Sequence, residues 1–182
     1  FLMEPLQANF TVHSALDAAP RERLRAICGS GESKVGAELI AQLPALEIVS
    51  IMGVGYDGVD VAACKARGVV VTHTPDVLND DVADLAIALA LNIARRIPQA
   101  DRHVRAGLWP QGPMPLATKF SGARMGIVGM GRIGQAIAER ARAFGLSIAY
   151  TARSAKPALP YTFHDQVTAL AAQSDFLVVI TP

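Results

Sequence analysis

The stretch GIVGMGRIGQAIAERARAFGLSIAYTARS, residues 126–154, decides the fold of the second half of the chain. It opens with an apolar run of strand length and then reads Gly129-Met130-Gly131-Arg132-Ile133-Gly134, a G-x-G-x-x-G pattern. The helical stripe Ile133, Ala136, Ile137, Ala141 and Phe144 follows, Gly145 stands where a C-terminal cap belongs, and LSIAYT supplies a second strand. In a strand-loop-helix context the first glycine permits a tight turn. The second lets backbone approach a pyrophosphate, and the third lets helix and strand pack closely. Phosphates then lie on the helix N-terminus, where free N–H groups favour anions. The loop residues Gly129, Gly131, Arg132, Ile133 and Gly134 are therefore the candidate dinucleotide contacts.

A dinucleotide site for NAD places an acid about 20 residues on, at the end of the second strand, to accept from the ribose 2′-hydroxyl. Here no carboxylate occurs between Glu139 and Asp165, and the strand end reads Thr151-Ala152-Arg153-Ser154, with Lys156 just beyond. An acid would repel a 2′-phosphate, whereas a guanidinium forks onto one and a hydroxyl adds a bond. Arg153 and Ser154 thus point to NADP(H) as the cofactor. The plainer alternative is a solvated surface arginine beside an NAD site that lacks its acid.

Outward from this stretch the alternation continues. DQVTALAAQ (165–173) reads as a helix and FLVVI (176–180) as a strand, so residues 122–182 form half of a doubly wound sheet. Upstream, FTVH (10–13), RAIC (25–28), LEIVSIM (46–52) and GVVVTH (68–73) have strand character. GAELIAQL (36–43) and VDVAACKAR (59–67) have helical spacing, which predicts a small α/β unit over residues 1–76. Between the halves, Asn79, Asp80 and Asp81 precede DLAIALALNIARRI and can cap a helix in which only Asn92 is polar from Leu85 to Ile93. Such a helix has no wet face and needs cover on more than one side. GLWPQGPMPLATKFSG (107–122) reads as an ordered loop. The fold class is α/β, with two Rossmann-like doubly wound parallel-sheet domains, the second truncated.

Composition excludes several functions. The 182 residues are 51% apolar and 18% charged with a formal charge of +1, so a core is available and no basic surface suggests nucleic acid. Arg95 and Arg96 end the longest apolar run, Leu85 to Ala94, well short of a membrane span, and no signal peptide is visible. Cys28 and Cys64 have no metal spacing and suit a reduced cytoplasmic protein. Helix capping accounts for Asp80, Asp81 and Asp84 without a metal. The chain starts FLME and stops at FLVVITP, so both ends look cut.

With these motifs placed, the chain resembles the D-isomer-specific 2-hydroxyacid dehydrogenases, and among them the glyoxylate/hydroxypyruvate reductases. The resemblance rests on residues 51–109, IMGVGYDGVDVAACKARGVVVTHTPDVLNDDVADLAIALALNIARRIPQADRHVRAGLW, and on residues 122–154. It implies residues 1–97 as a flavodoxin-like substrate-binding domain ending in the helix that leads into the hinge. Residues 98–182 become the first half of the NADP-binding Rossmann domain. It implies reduction of a small 2-oxo acid by hydride from NADPH, and a homodimer whose contact includes the helix of residues 81–97, with Val82 near the nicotinamide.

It also implies that Gly53-Val54-Gly55 presents the N–H groups of Val54 and Gly55 to the substrate carboxylate. Consecutive amides in a glycine turn can form such an anion-binding concavity. As a plain turn, the same segment would only redirect the chain, with Asp60 capping the next helix. The family's acid histidine, its glutamate and the substrate arginine follow the strand expected after Pro182. His13, His73, His103 and His164 read as structural or exposed, so no catalytic residue is assigned within the chain. A non-catalytic dinucleotide sensor or corepressor on the same fold is the alternative.

Overall fold

The computed structural model describes residues 3–181. The chain forms two compact units, Phe1–Pro75 and Asp76–Pro182. The first begins with helix α1 (Met3–Asn9) and two single 3-10 turns, then runs β1 (Ala26–Ser30), α2 (Ala37–Ala41), β2 (Ile48–Met52), α3 (Val61–Ala66) and β3 (Val70–Thr72). The strands pair in parallel in the order β1-β2-β3, with Ser50 of β2 opposite both Cys28 and Thr72. Val35, Ile40, Leu43, Val49, Ile51, Val59 and Cys64 make its core.

Asp60 caps α3 as read, its carboxylate accepting from the Ala63 N–H at 2.8 Å. Residues 10–13, expected as a strand, form none, and Phe10 is exposed. A four-residue apolar run becomes a strand only where a neighbour can pair with its backbone, and the described sheet offers 10–13 no partner.

The second unit runs α4 (Asn79–Arg95), α5 (Ile97–Arg105), a 3-10 turn, β4 (Arg124–Val128), α6 (Arg132–Ala143), β5 (Ser147–Thr151), β6 (Thr162–Phe163), α7 (Val167–Ala172) and β7 (Phe176–Val179). Its sheet is parallel in the order β6-β5-β4-β7, which is the 3-2-1-4 order of a doubly wound sheet. Ile137, Ala138 and Ala141 of α6 pack with Met125 and Ile127 of β4 and with Ile148 and Tyr150 of β5 in one core. Gly145, in the left-handed region at φ 74°, ends α6 as expected and returns its N–H to the Arg142 carbonyl at 2.8 Å.

The break between the units falls at 75/76, where the sequence reading put it at 97/98, and α4 is the difference. Its small residues Ala83, Ala90 and Ala94, with Ile87, repeat at helical spacing and are buried in the core that contains α6. The guanidinium of Arg140 on α6 clasps Asp80, at 2.9 Å, and Asp84. Two details of this helix differ from expectation. Asn79, Asp80 and Asp81 form the first turn rather than the cap, since the N-cap is Leu78 and makes no side-chain bond. The helix ends at Arg95 instead of running to 97, because Arg96 turns left-handed at φ 53° and Pro98 starts α5. Leu85, Leu89 and Ile93 form a second stripe on α4, exposed by 58%, 54% and 73%.

At the start of β4, Arg124 forks onto Asp175 with bonds of 3.1 and 2.8 Å, and the same carboxylate accepts the Arg124 N–H at 2.9 Å. These bonds hold the Asp175 pKa down at about 2. A carboxylate lowered on folding stabilises the fold above its unfolded pKa of roughly 4 and loses that contribution as pH falls through the folded value. The urea midpoint should therefore fall more steeply between roughly pH 4 and 2 in the wild type than in Asp175→Asn. Parallel curves would show that the pair adds nothing.

Candidate functional site

The glycine loop follows β4 and is built as the residue types dictate. Gly129 sits at φ 104°, and a Cβ there would strike the Ile180 carbonyl oxygen; its own N–H donates to Thr151 O at 2.9 Å. A Cβ on Gly134 would overlap the Gly129 carbonyl oxygen, so α6 can cross the strand this closely only with glycine there. A Cβ on Gly131 would meet nothing within 4 Å. The middle glycine thus borders open space in front of the N-terminus of α6, whose first N–H groups have no acceptor within the helix. A tight turn, an open middle position and a close crossing fit a dinucleotide pyrophosphate.

Register brings the second candidate segment beside the first. Val128 of β4 lies opposite Thr151 of β5, so the glycine loop and residues 152–156 leave adjacent strands at the same edge of the sheet. The Thr151 hydroxyl is committed to the His164 carbonyl at 3.0 Å. Arg153 and Ser154 are exposed, and neither side chain has a partner among the described residues. Their loop is anchored farther along, where the Lys156 N–H donates to the Tyr150 hydroxyl at 2.6 Å.

In the first unit, the loop after β2 is pinned from the end of β3. The Thr74 N–H donates to the Gly53 carbonyl at 2.9 Å, and His73 Nδ1 lies 3.0 Å from the Val54 carbonyl. Among the described residues, the N–H groups of Val54 and Gly55 have no acceptor. Gly53 approaches the Gly31 backbone so closely that a Cβ would lie 3.3 Å from its nitrogen.

The remaining histidines differ in setting. His13 is exposed, His103 Nε2 lies 3.3 Å from the Gly112 carbonyl, and His164 Nε2 is buried without a partner. No group of three His, Cys, Asp or Glu among the described residues could hold a metal.

The sequence profile of the family described as "D-isomer specific 2-hydroxyacid dehydrogenase, catalytic domain" matches residues 3–174. The chain belongs to that family. Hydroxyphenylpyruvate reductase of Plectranthus scutellarioides is 52% identical over 98% of this chain and 55% of its own length. Glyoxylate/hydroxypyruvate reductase A of Arabidopsis thaliana is 50% identical over 93% of this chain and 54% of its own. The NADPH-dependent glyoxylate/hydroxypyruvate reductase of Sinorhizobium meliloti, solved with NADP and malonate, superposes with a TM-score of 0.81 at 46% identity. It matches over 92% of this chain and 52% of the solved one. The chain thus spans about half the length of the curated relatives it matches.

In this 2-hydroxyacid dehydrogenase family member, three contacts of the site went unread in the sequence. Arg132, expected beside the phosphates, is paired with Asp76 at 3.1 Å, and Asp76 is itself left-handed at φ 70° and accepts from Asn79 at 2.8 Å. The Gln135 amide reaches back one turn to the Gly131 carbonyl at 3.2 Å and braces the glycine loop. Its position four residues after Gly131 was the available signal. The third is His73 against the Val54 carbonyl. Nothing local marks a contact across 19 residues.

Proposed function

We propose that the protein is an NADPH-dependent reductase of small 2-oxo acids, of the glyoxylate/hydroxypyruvate type. The observation that carries this reading is that each unit presents a glycine loop with backbone donors left free, the N–H groups of Val54 and Gly55 in one and those of the first turn of α6 in the other. The loop at residues 53–55 is small enough for a carboxylate, and the loop at 129–134 opens onto a helix N-terminus. Val54 and Gly55 hold the substrate carboxylate; Gly129, Gly131, Arg132, Ile133 and Gly134 hold the pyrophosphate; Arg153 and Ser154 hold the 2′-phosphate. The absence of an acid at the end of β5 and the unpaired state of Arg153 favour NADPH over NADH. When bound, the reduced nicotinamide supplies hydride to the substrate carbonyl. None of His13, His73, His103 and His164 protonates the resulting alkoxide in this reading. In this reading the acid histidine, its glutamate and the substrate arginine are not among residues 1–182. Residues 1–75 serve the substrate and residues 76–182 the cofactor.

The working form is a homodimer in the cytoplasm. The Leu85, Leu89 and Ile93 stripe is an apolar face of the kind a second copy covers, and the two free thiols suit a reducing compartment. No helix among the described residues is long and apolar enough to cross a membrane.

The test is consumption of NADPH or NADH by the intact protein with glyoxylate, hydroxypyruvate or 4-hydroxyphenylpyruvate, together with light scattering of the wild type and Leu89→Glu. The expected result is turnover of the two small acids with NADPH, and a dimer that the charged variant weakens. Preference for the aromatic acid would refute the substrate class, and a monomeric wild type would refute the assembly.

A further inference from the structure

His73 is placed to do more than fill a strand end. A carbonyl oxygen can only accept, so the 3.0 Å contact between His73 Nδ1 and the Val54 carbonyl requires the proton on Nδ1. The next residue donates its backbone N–H to the preceding carbonyl of the loop, Thr74 to Gly53 at 2.9 Å. The described peptide bonds are all trans, and in a trans peptide the C=O and N–H point in opposite directions. Two successive carbonyls drawn toward the end of β3 therefore turn two successive N–H groups, those of Val54 and Gly55, the other way. The Tyr56 ring meets the imidazole edge-on, with centroids 4.7 Å apart at 64°, which limits rotation of the ring and keeps Nδ1 on its acceptor.

We propose that His73 is a positioning residue for the carboxylate loop: its Nδ1–H on the Val54 carbonyl, beside the Thr74 N–H on the Gly53 carbonyl, aims both free amides at one anion. This rests on the assignment of Val54 and Gly55 to the substrate carboxylate. Without the Nδ1 donor the 54–55 peptide can rotate, and the Gly55 N–H no longer converges with its neighbour. Gly55 imposes no side-chain barrier to that rotation.

The test uses the intact protein and three variants. His73→Phe keeps a ring against Tyr56 and deletes the donor. His73→Asn puts an amide where Nδ1 stood, whereas His73→Gln carries its amide to the position of Nε2. Because a charge-assisted hydrogen bond is involved, His73→Phe and His73→Gln should raise the glyoxylate KM about 10-fold or more, leaving the NADPH KM unchanged and kcat within about 3-fold. His73→Asn should restore most of the loss. If the phenylalanine variant does not fold, the glutamine variant carries the same prediction.

Amide spectra of the 15N-labelled protein titrated with oxalate separate the possible failures. Shifts at Val54 and Gly55 in the wild type, reached only at higher oxalate in His73→Gln, support the proposal. Equal titration of wild type and variant overturns the role of His73 while leaving the loop assignment standing. A wild type that reduces glyoxylate without moving either amide overturns both. Equal loss in all three variants would reduce His73 to a packing residue.

Discussion

Replacing Arg153 with alanine in the intact protein should weaken NADPH by roughly 10- to 150-fold and leave NADH nearly untouched, because a hydrogen bond between charged groups contributes about 1.5–3 kcal/mol. The side chain has no partner among the described residues, so its removal breaks no internal contact. The change should therefore register in cofactor affinity with no loss of thermal stability. Fluorescence titration with each dinucleotide measures it. Equal losses for both cofactors would place Arg153 on a part of the molecule they share, and no loss for either would make it a surface arginine.

A larger effect is expected at Gly134. A methyl group there meets the Gly129 carbonyl oxygen, a backbone atom that cannot step aside, so Gly134→Ala must push α6 off the strand. Overpacking of this kind typically costs about 1–3 kcal/mol, and the loop that α6 closes should lose both dinucleotides, by roughly 100-fold or more. Gly131→Ala is the control with opposite logic. Its backbone, at φ −76° and ψ −161°, suits alanine, and the new methyl meets no protein atom. The urea midpoint should stay in place while affinity for NADPH and NADH falls together, since on the proposed reading the methyl occupies space that the pyrophosphate fills. Unchanged affinity in Gly131→Ala would end the assignment of this loop to the cofactor.

These contrasts also show what the sequence could and could not display. The tight turn at Gly129 and the close crossing at Gly134 were legible because each is set by local backbone geometry or by the one strand and one helix it joins. Asp60 and Gly145 were legible for the same reason, as caps within a turn of their helices. Residues 10–13 misled because strand formation depends on a partner, and apolar alternation over four residues says nothing about whether one exists. The apolar run of α4 was correctly seen as unusual. Composition does not distinguish a face packed against α6 from a face left bare, and only the alanine spacing at 83, 90 and 94 separates the two stripes. Arg132 with Asp76, and Arg140 with Asp80 and Asp84, join residues far apart in the chain, and charge patterns read in short windows miss such pairs. The break at Arg96 was partly signalled by Pro98, but arginine is not a residue that turns ordinarily select.

The parallel register of β4 and β5 has an evolutionary consequence. Val128 and Thr151 are locked opposite one another, so on the proposed reading the grip on pyrophosphate and the discrimination at the ribose issue from two separate strand ends that share a ladder but no side chains. Substitutions at 153 and 154 can accumulate, be lost and be regained without disturbing Gly129, Gly131 or Gly134. On that reading, point mutation in this one loop suffices to move a protein on this scaffold between the two reducing pools of a cell, with the phosphate cradle left intact. Cofactor choice is in this sense an inheritable setting on a fixed chassis, open to directed evolution through a library confined to one short exposed loop.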